Sequence, residues 1–253
     1  MGIDTTTKIS SVALSDADFR GSSKAMILSE VHSGGDITHS ENLCPMVDRA
    51  LATAGLVLSD VNLFAVTVGP GSFTGIRIGV SLVKGLAYGA ENNCLGLSSL
   101  HALAYNFSGY INSNAKKIFI APAIDARRNQ VYNAIFELTE NAGIIYIKND
   151  RIITVGELET ELNDNDIFTG SDIIFIGDGA DMCCNEIKCG KINKIRAGDI
   201  LSQPNASSVC RLAVSELERG IKAVHPRILS PSYLIKTQAE KELKEKSADN
   251  SFL

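Results

Sequence analysis

Residues 68–79, VGPGSFTGIRIG, place Gly69, Pro70, Gly71, Ser72, Phe73, Thr74, Gly75 and Arg77 between an apolar run and a helix-like one. A strand, a glycine turn and a helix start together form an anion site, because unpaired backbone amides and the positive end of the helix dipole point the same way. The lysine–hydroxyl pair of a nucleotide-hydrolysing loop is missing, and the spacing is not that of a dinucleotide fingerprint. The loop therefore reads as a turn that touches an anion or a partner, with no reaction identified.

Other candidate groups are more scattered. Asp4 ends an apolar run and is followed by Thr5, Thr6 and Thr7; Asp125 does the same and is followed by Arg127, Arg128 and Asn129. Phosphate-holding hairpins use glycine where backbone must approach the ligand, so the arginines argue against a nucleotide clamp in the second turn. A metal on one helical face requires His-x-x-x-His, and His32, His39, His101 and His225 are too far apart for it. Asp178 and Asp181 read as turn residues after a strand. No local Ser or Cys nucleophile signature is present. The six cysteines include no Cys-x-x-Cys pair and read as free, mostly buried thiols.

These residues need strands and helices to position them. Two strand–turn–strand units, residues 2–14 and 118–136, are each followed by a strand and a glycine turn, Gly69-Pro70-Gly71 and Gly177-Asp178-Gly179. That repetition predicts a duplicated α/β lobe. Apolar spacing predicts helices from Leu43, with stripe Leu43, Met46, Val47, Ala50, Leu51 and Ala54, and across 76–90, with Leu82, Val83, Leu86 and Ala87. A third covers 206–218, and a hairpin turning at Asn149-Asp150, followed by a short helix, is expected between 144 and 162. In 253 residues, 45% hydrophobic with net charge −5, the composition is that of a soluble, cytoplasmic protein that does not itself grip a polyphosphate backbone.

The whole string from Gly69 to Gly79 with Lys84-Gly85-Leu86-Ala87 resembles the signature of the TsaB (YeaZ) family, bacterial partners in threonylcarbamoyladenosine synthesis on tRNA. Ile3-Asp4-Thr5-Thr6-Thr7, His39-Ser40-Glu41-Asn42-Leu43, Asp125-Ala126-Arg127-Arg128, Gly177-Asp178-Gly179-Ala180 and Pro231-Ser232-Tyr233-Leu234 agree with it. The resemblance implies two lobes of the actin/hexokinase-like (ASKHA, ribonuclease H-like) type. It also implies a non-catalytic scaffold for a related catalytic subunit, TsaD, joined by the ATPase TsaE, with ATP and metal on those partners and tRNA touched only indirectly. A homodimer in the partner's absence, and no membrane contact, are further expectations. Only Met1 and Gly2 precede Ile3, so the first strand is short for this family.

The expected organisation is an N-terminal lobe over 1–105, a C-terminal lobe over 106–235 and a charged tail over 236–253. Leu43, Met46, Val47, Ala50, Leu82 and Leu86 are the expected partner or dimer interface. Asp4, Thr5 and the loop from Gly69 to Arg77 are the expected nucleotide or partner contact. The competing reading is an independent kinase or metallopeptidase on the same fold.

Overall fold

The computed structural model describes residues 1–17, 25–34, 39–110, 116–139 and 143–234. The 236–253 tail and residue 235 lie outside the described residues, as does the side chain of His39. The chain opens with β1 (Gly2–Asp4), β2 (Ser10–Ala17) and β3 (Ala25–Ser33), then α1 (His39–Ala54), β4 (Phe64–Gly69), α2 (Phe73–Gly89) and β5 (Cys94–Ser98). The short α3 (Ser99–Ala104) leads to β6 (Ile118–Asp125), β7 (Gln130–Leu138), β8 (Ile144–Thr154) and α4 (Val155–Asp164). β9 (Asp172–Ile176), α5 (Ala180–Glu186), β10 (Asn193–Arg196) and α6 (Ala206–Glu218) complete it.

The strands form two five-stranded sheets, ordered β3-β2-β1-β4-β5 and β10-β9-β6-β7-β8. In the first, β1 is antiparallel to β2 and parallel to β4. In the second, β6 is antiparallel to β7 and parallel to β9. Read from its other edge, the second sheet repeats the first strand for strand. This is the duplicated α/β architecture of the actin/hexokinase-like fold, with β1 and β6 delivering Asp4 and Asp125 to equivalent turns.

The helices cross between the sheets. α3 lies between the two sheets, on β6 and β7 and also on β4 and β5, whereas α6 follows the second sheet and packs across the first, most closely on β1, β2 and β3. α6, from the second half of the chain, therefore meets both sheets. Residues after α6 also return to the first sheet: Val224 bridges Cys94, and the Ser232 amide donates to the Val68 carbonyl at 2.8 Å. One apolar cluster, with Ala65 and Leu97 beside Ile120, Phe136 and Val209, consequently spans both lobes.

The expected hairpin at Asn149-Asp150 is not formed. β8 runs on through both residues as a single edge strand, and the register against β7 slips between Asn133 and Ile135. A bulge absorbs the polar pair that the sequence offers as a turn. The expected helix after it is α4, started by a capping box between Thr154 and Glu157.

α3 carries a buried histidine. The His101 ring stacks on Phe136 with centroids 5.0 Å apart and meets Tyr146 edge-on at 4.8 Å, and its Nε2 is buried without a hydrogen-bond partner. Burial, with a smaller contribution from the Arg219 charge, lowers its pKa from 6.5 to about 3. The unfolded chain therefore binds a proton that the folded chain refuses, so His101 leaves stability intact above about pH 6.5 and subtracts from it as pH falls toward 3. The expected result is that the difference in unfolding free energy between wild type and His101→Phe changes by about 1.4 kcal/mol per pH unit between pH 6 and 4. Denaturant titrations that stay parallel over that range would contradict it.

Candidate functional site

The first turn and the glycine loop are joined by the chain's own atoms. Asp4 is buried, and its Oδ1 accepts the Thr6 amide at 2.9 Å and the Thr6 hydroxyl at 2.8 Å. The Ser72 amide donates to the Thr6 carbonyl at 2.8 Å, and Thr5 Oγ1 donates to the Gly75 carbonyl at 2.8 Å. Ser72 caps α2, its Oγ accepting the Gly75 amide at 3.2 Å. Two donors of the anion-binding turn read from the sequence are thus satisfied internally.

Glycine is required here for close packing. A Cβ at Gly75 would lie 2.0 Å from the Thr5 carbonyl oxygen, and one at Gly71, where φ is +149°, would lie 2.5 Å from that of Thr6. The gap that glycine leaves is filled by the threonine turn. Further on, Arg77 lies over the Phe73 ring at 4.0 Å and donates from Nε to the Tyr233 hydroxyl at 2.9 Å. Phe73 and Tyr233 are 5.0 Å apart. With Pro70, Gly71, Ile76, Ser232, Leu234 and, from β7, Tyr132, they line a cleft of 210 Å³.

The second turn differs from the first. Arg127, Arg128 and Asn129 have φ of 68°, 54° and 58°, a left-handed conformation costing roughly 1–2 kcal/mol for each such residue. Asp125 Oδ1 accepts the Arg127 amide at 2.7 Å, and Asp178 Oδ1 accepts the Asp125 amide at 2.9 Å. All three side chains at the tip are exposed. Partial desolvation raises the Asp178 carboxyl above the usual range although the residue keeps contact with water; the Asp125 amide and the charge of Lys8, in the first turn, act against that rise.

The expected interface residues divide into two groups. Leu43, Met46, Val47 and Ala50 are buried, packed with Ile3, Val12 and Val66 in the core of the first lobe. That corrects the expectation that they face a partner: a single apolar stripe is consumed by the helix's own sheet. Leu82 and Leu86 are half-buried on α2 and remain at the surface. Beside Leu82, a shallow groove of 360 Å³ between α1 and α2 is formed by Ser40, Leu43, Cys44, Arg77, Ile78 and Ser81. Gly85 and Gly89 continue this face, and a Cβ at either would meet nothing within 4 Å. Cys44 and Ile78 were not singled out in the sequence, since neither lies on the strongest stripe of its helix.

His32 lies on β3 and His101 on α3, while His225 follows α6. Among the described residues no group of three or more His, Cys, Asp or Glu side chains is placed to hold a metal ion, and no helix is long and apolar enough to cross a membrane. Cys94, Cys183, Cys189 and Cys210 are buried free thiols, as expected, whereas Cys44 is exposed.

Comparison with known proteins adds three findings. The family described as TsaD, tRNA N6-adenosine threonylcarbamoyltransferase, matches residues 35–243. The tRNA threonylcarbamoyladenosine biosynthesis protein TsaB of Escherichia coli is 43% identical over 103 residues, 41% of this chain and 43% of that protein. That of Bacillus subtilis is 32% identical over 140 residues, 53% and 57% of the two chains. The chain thus spans about half the length of the curated relatives it matches. The crystal structure of YeaZ from Pseudomonas aeruginosa superposes with a TM-score of 0.71 at 27% identity, over 92% of this chain and 97% of that one.

Proposed function

The chain belongs to the TsaD family of tRNA N6-adenosine threonylcarbamoyltransferases, with the TsaB (YeaZ) proteins as its relatives there, and on that premise we propose that it is an accessory subunit of tRNA threonylcarbamoyladenosine synthesis. In this reading it binds a catalytic TsaD subunit and favours that subunit's productive arrangement, so that activation is organisational. ATP and metal belong to TsaD and to the ATPase TsaE, and the setting is the bacterial cytoplasm.

The observation that carries the reading is the outward face of α1 and α2. Ile78, Ser81, Leu82, Gly85 and Gly89 give α2 a second, low-relief side beyond the one that covers the sheet. Small residues on such a face let another helix pack ridge into groove at short range. In the absence of TsaD the same face accommodates a second copy of this chain. The interior of the glycine loop supports an accessory role too: the space a phosphate would need beneath Gly71 and Gly75 holds the Thr5 and Thr6 carbonyls.

Co-purification tests the docking step. Tagged chain is expected to retain untagged TsaD from the same organism through size exclusion as one complex. Elution as two separate species at micromolar concentration would contradict it.

A further inference from the structure

The lip of the interlobe cleft has a feature that docking through α1 and α2 leaves unexplained. Three successive left-handed residues hold Arg127, Arg128 and Asn129 outward, and the Arg127 side chain is 83% exposed, its guanidinium 3.6 Å from Asp125. Glycine would adopt that backbone without strain. The arginine side chains therefore cost stability, and their exposure means that packing within the chain gives little in return. Strain of this kind clusters at ligand clamps, active sites and switch regions.

What lies beside the turn indicates the chemistry. Lys8, exposed in the first turn, adds a third cation whose charge reaches Asp178, the carboxylate bonded to the Asp125 amide at the base of the arginine turn. Down β7, Tyr132 joins Phe73 and Tyr233 around the 210 Å³ cleft, three residues from Asn129 and so about 10 Å along the strand. Cations that meet phosphates, followed by aromatic faces that stack a base, are the combination used to hold single-stranded nucleic acid. An acidic peptide would use the cations and leave the rings unused. The cleft is smaller than the roughly 300–1,000 Å³ of a whole small-molecule site, which suits one base of a longer strand. Asp125 accepts the Arg127 amide of its own turn and Asp178 accepts the Asp125 amide from the neighbouring loop, so one oxygen of each carboxylate is turned toward backbone.

We propose that this lip holds an unpaired stretch of RNA, its phosphates on Arg127, Arg128 and Lys8 and one base in the pocket of Phe73, Tyr132 and Tyr233. The proposal rests on the tRNA-modification reading and replaces the expectation of purely indirect tRNA contact with a direct one.

The test uses the full chain and a fluorescein-labelled ten-residue oligoadenylate RNA, followed by anisotropy across a salt series. Saturable binding is expected, with log affinity falling against log salt at a slope of about −2 for three phosphates. Arg127→Gly with Arg128→Gly is expected to cut affinity at least tenfold and flatten the slope to about −0.7, while the thermal midpoint holds or rises because glycine accepts the left-handed turn. Tyr132→Ala is expected to weaken binding about 5- to 100-fold with the slope unchanged. The proposal is overturned by the absence of saturable binding, by glycine variants that bind as wild type does, or by displacement at equal concentration by AMP or by oligoglutamate. Those last two outcomes would assign the site to a free nucleotide or to an acidic peptide. Since the substituted residues Arg127, Arg128 and Tyr132 lie in the second lobe and not on α1 or α2, each failure here leaves co-purification with TsaD unaffected and distinguishable.

Discussion

Gly75→Ala is expected to destabilise the chain by at least about 3 kcal/mol, a large share of the roughly 5–15 kcal/mol that holds a domain folded. The new Cβ would fall 2.0 Å from the Thr5 carbonyl oxygen, and both partners are backbone, so no side-chain rotation relieves the overlap. α2 would have to withdraw from the threonine turn, breaking the Ser72–Thr6 and Thr5–Gly75 hydrogen bonds together. Gly85→Ala supplies the control on the same helix. Its Cβ meets nothing within 4 Å, so the helical preference of alanine should raise stability by about 0.5–1 kcal/mol. Denaturant unfolding of the two variants reads the difference; equal effects would show that the glycine loop is not packed against the turn.

The second large effect concerns the docking face. Leu82→Glu combined with Gly85→Glu is expected to weaken association with TsaD by more than about 100-fold, which is about 2.7 kcal/mol, by placing two carboxylates in a desolvated helix–helix contact. Folding should be retained, since Leu82 is only half-buried and Gly85 is open. Charged substitutions at Met46 or Ala50 are not equivalent. Both residues are buried in the first lobe, and a charge there is expected to abolish folding before it reports on any partner. A double variant that folds and still binds TsaD at wild-type affinity, measured by titration calorimetry, would remove α2 from the interface.

The sequence made the two aspartate-bearing turns and the glycine loops legible because each combines an apolar run of strand length with a polar, turn-forming segment. Asp4 and Asp125 could be placed at equivalent positions from that repetition alone. The placement of α3 between both sheets and of α6 against the first could not be read, because an apolar stripe states that a helix is covered and not which sheet covers it. The same ambiguity misassigned Leu43, Met46, Val47 and Ala50 to a partner. β3, β5 and β10 carry weak signals: all three are edge strands, β3 of mixed polarity, β10 only four residues long, and β5, CLGLS, with a glycine at its centre. Asn149-Asp150 carried a turn signal that a bulge satisfied equally well. Left-handed backbone at Arg127 and Arg128 had no residue signal, since nothing but glycine or asparagine announces it.

The docking face and the filled glycine loop converge on one claim, that this chain organises a reaction carried out on another subunit. Reconstituted transfer of the threonylcarbamoyl group to tRNA tests it most directly, with TsaD and TsaE supplied and this chain present, absent or alone. The expected result is no product from the chain alone and a rate with TsaD and TsaE that rises at least about fivefold when it is added, the scale of an ordinary coupling between protein sites. Turnover by the chain alone, or an identical rate without it, would contradict the claim.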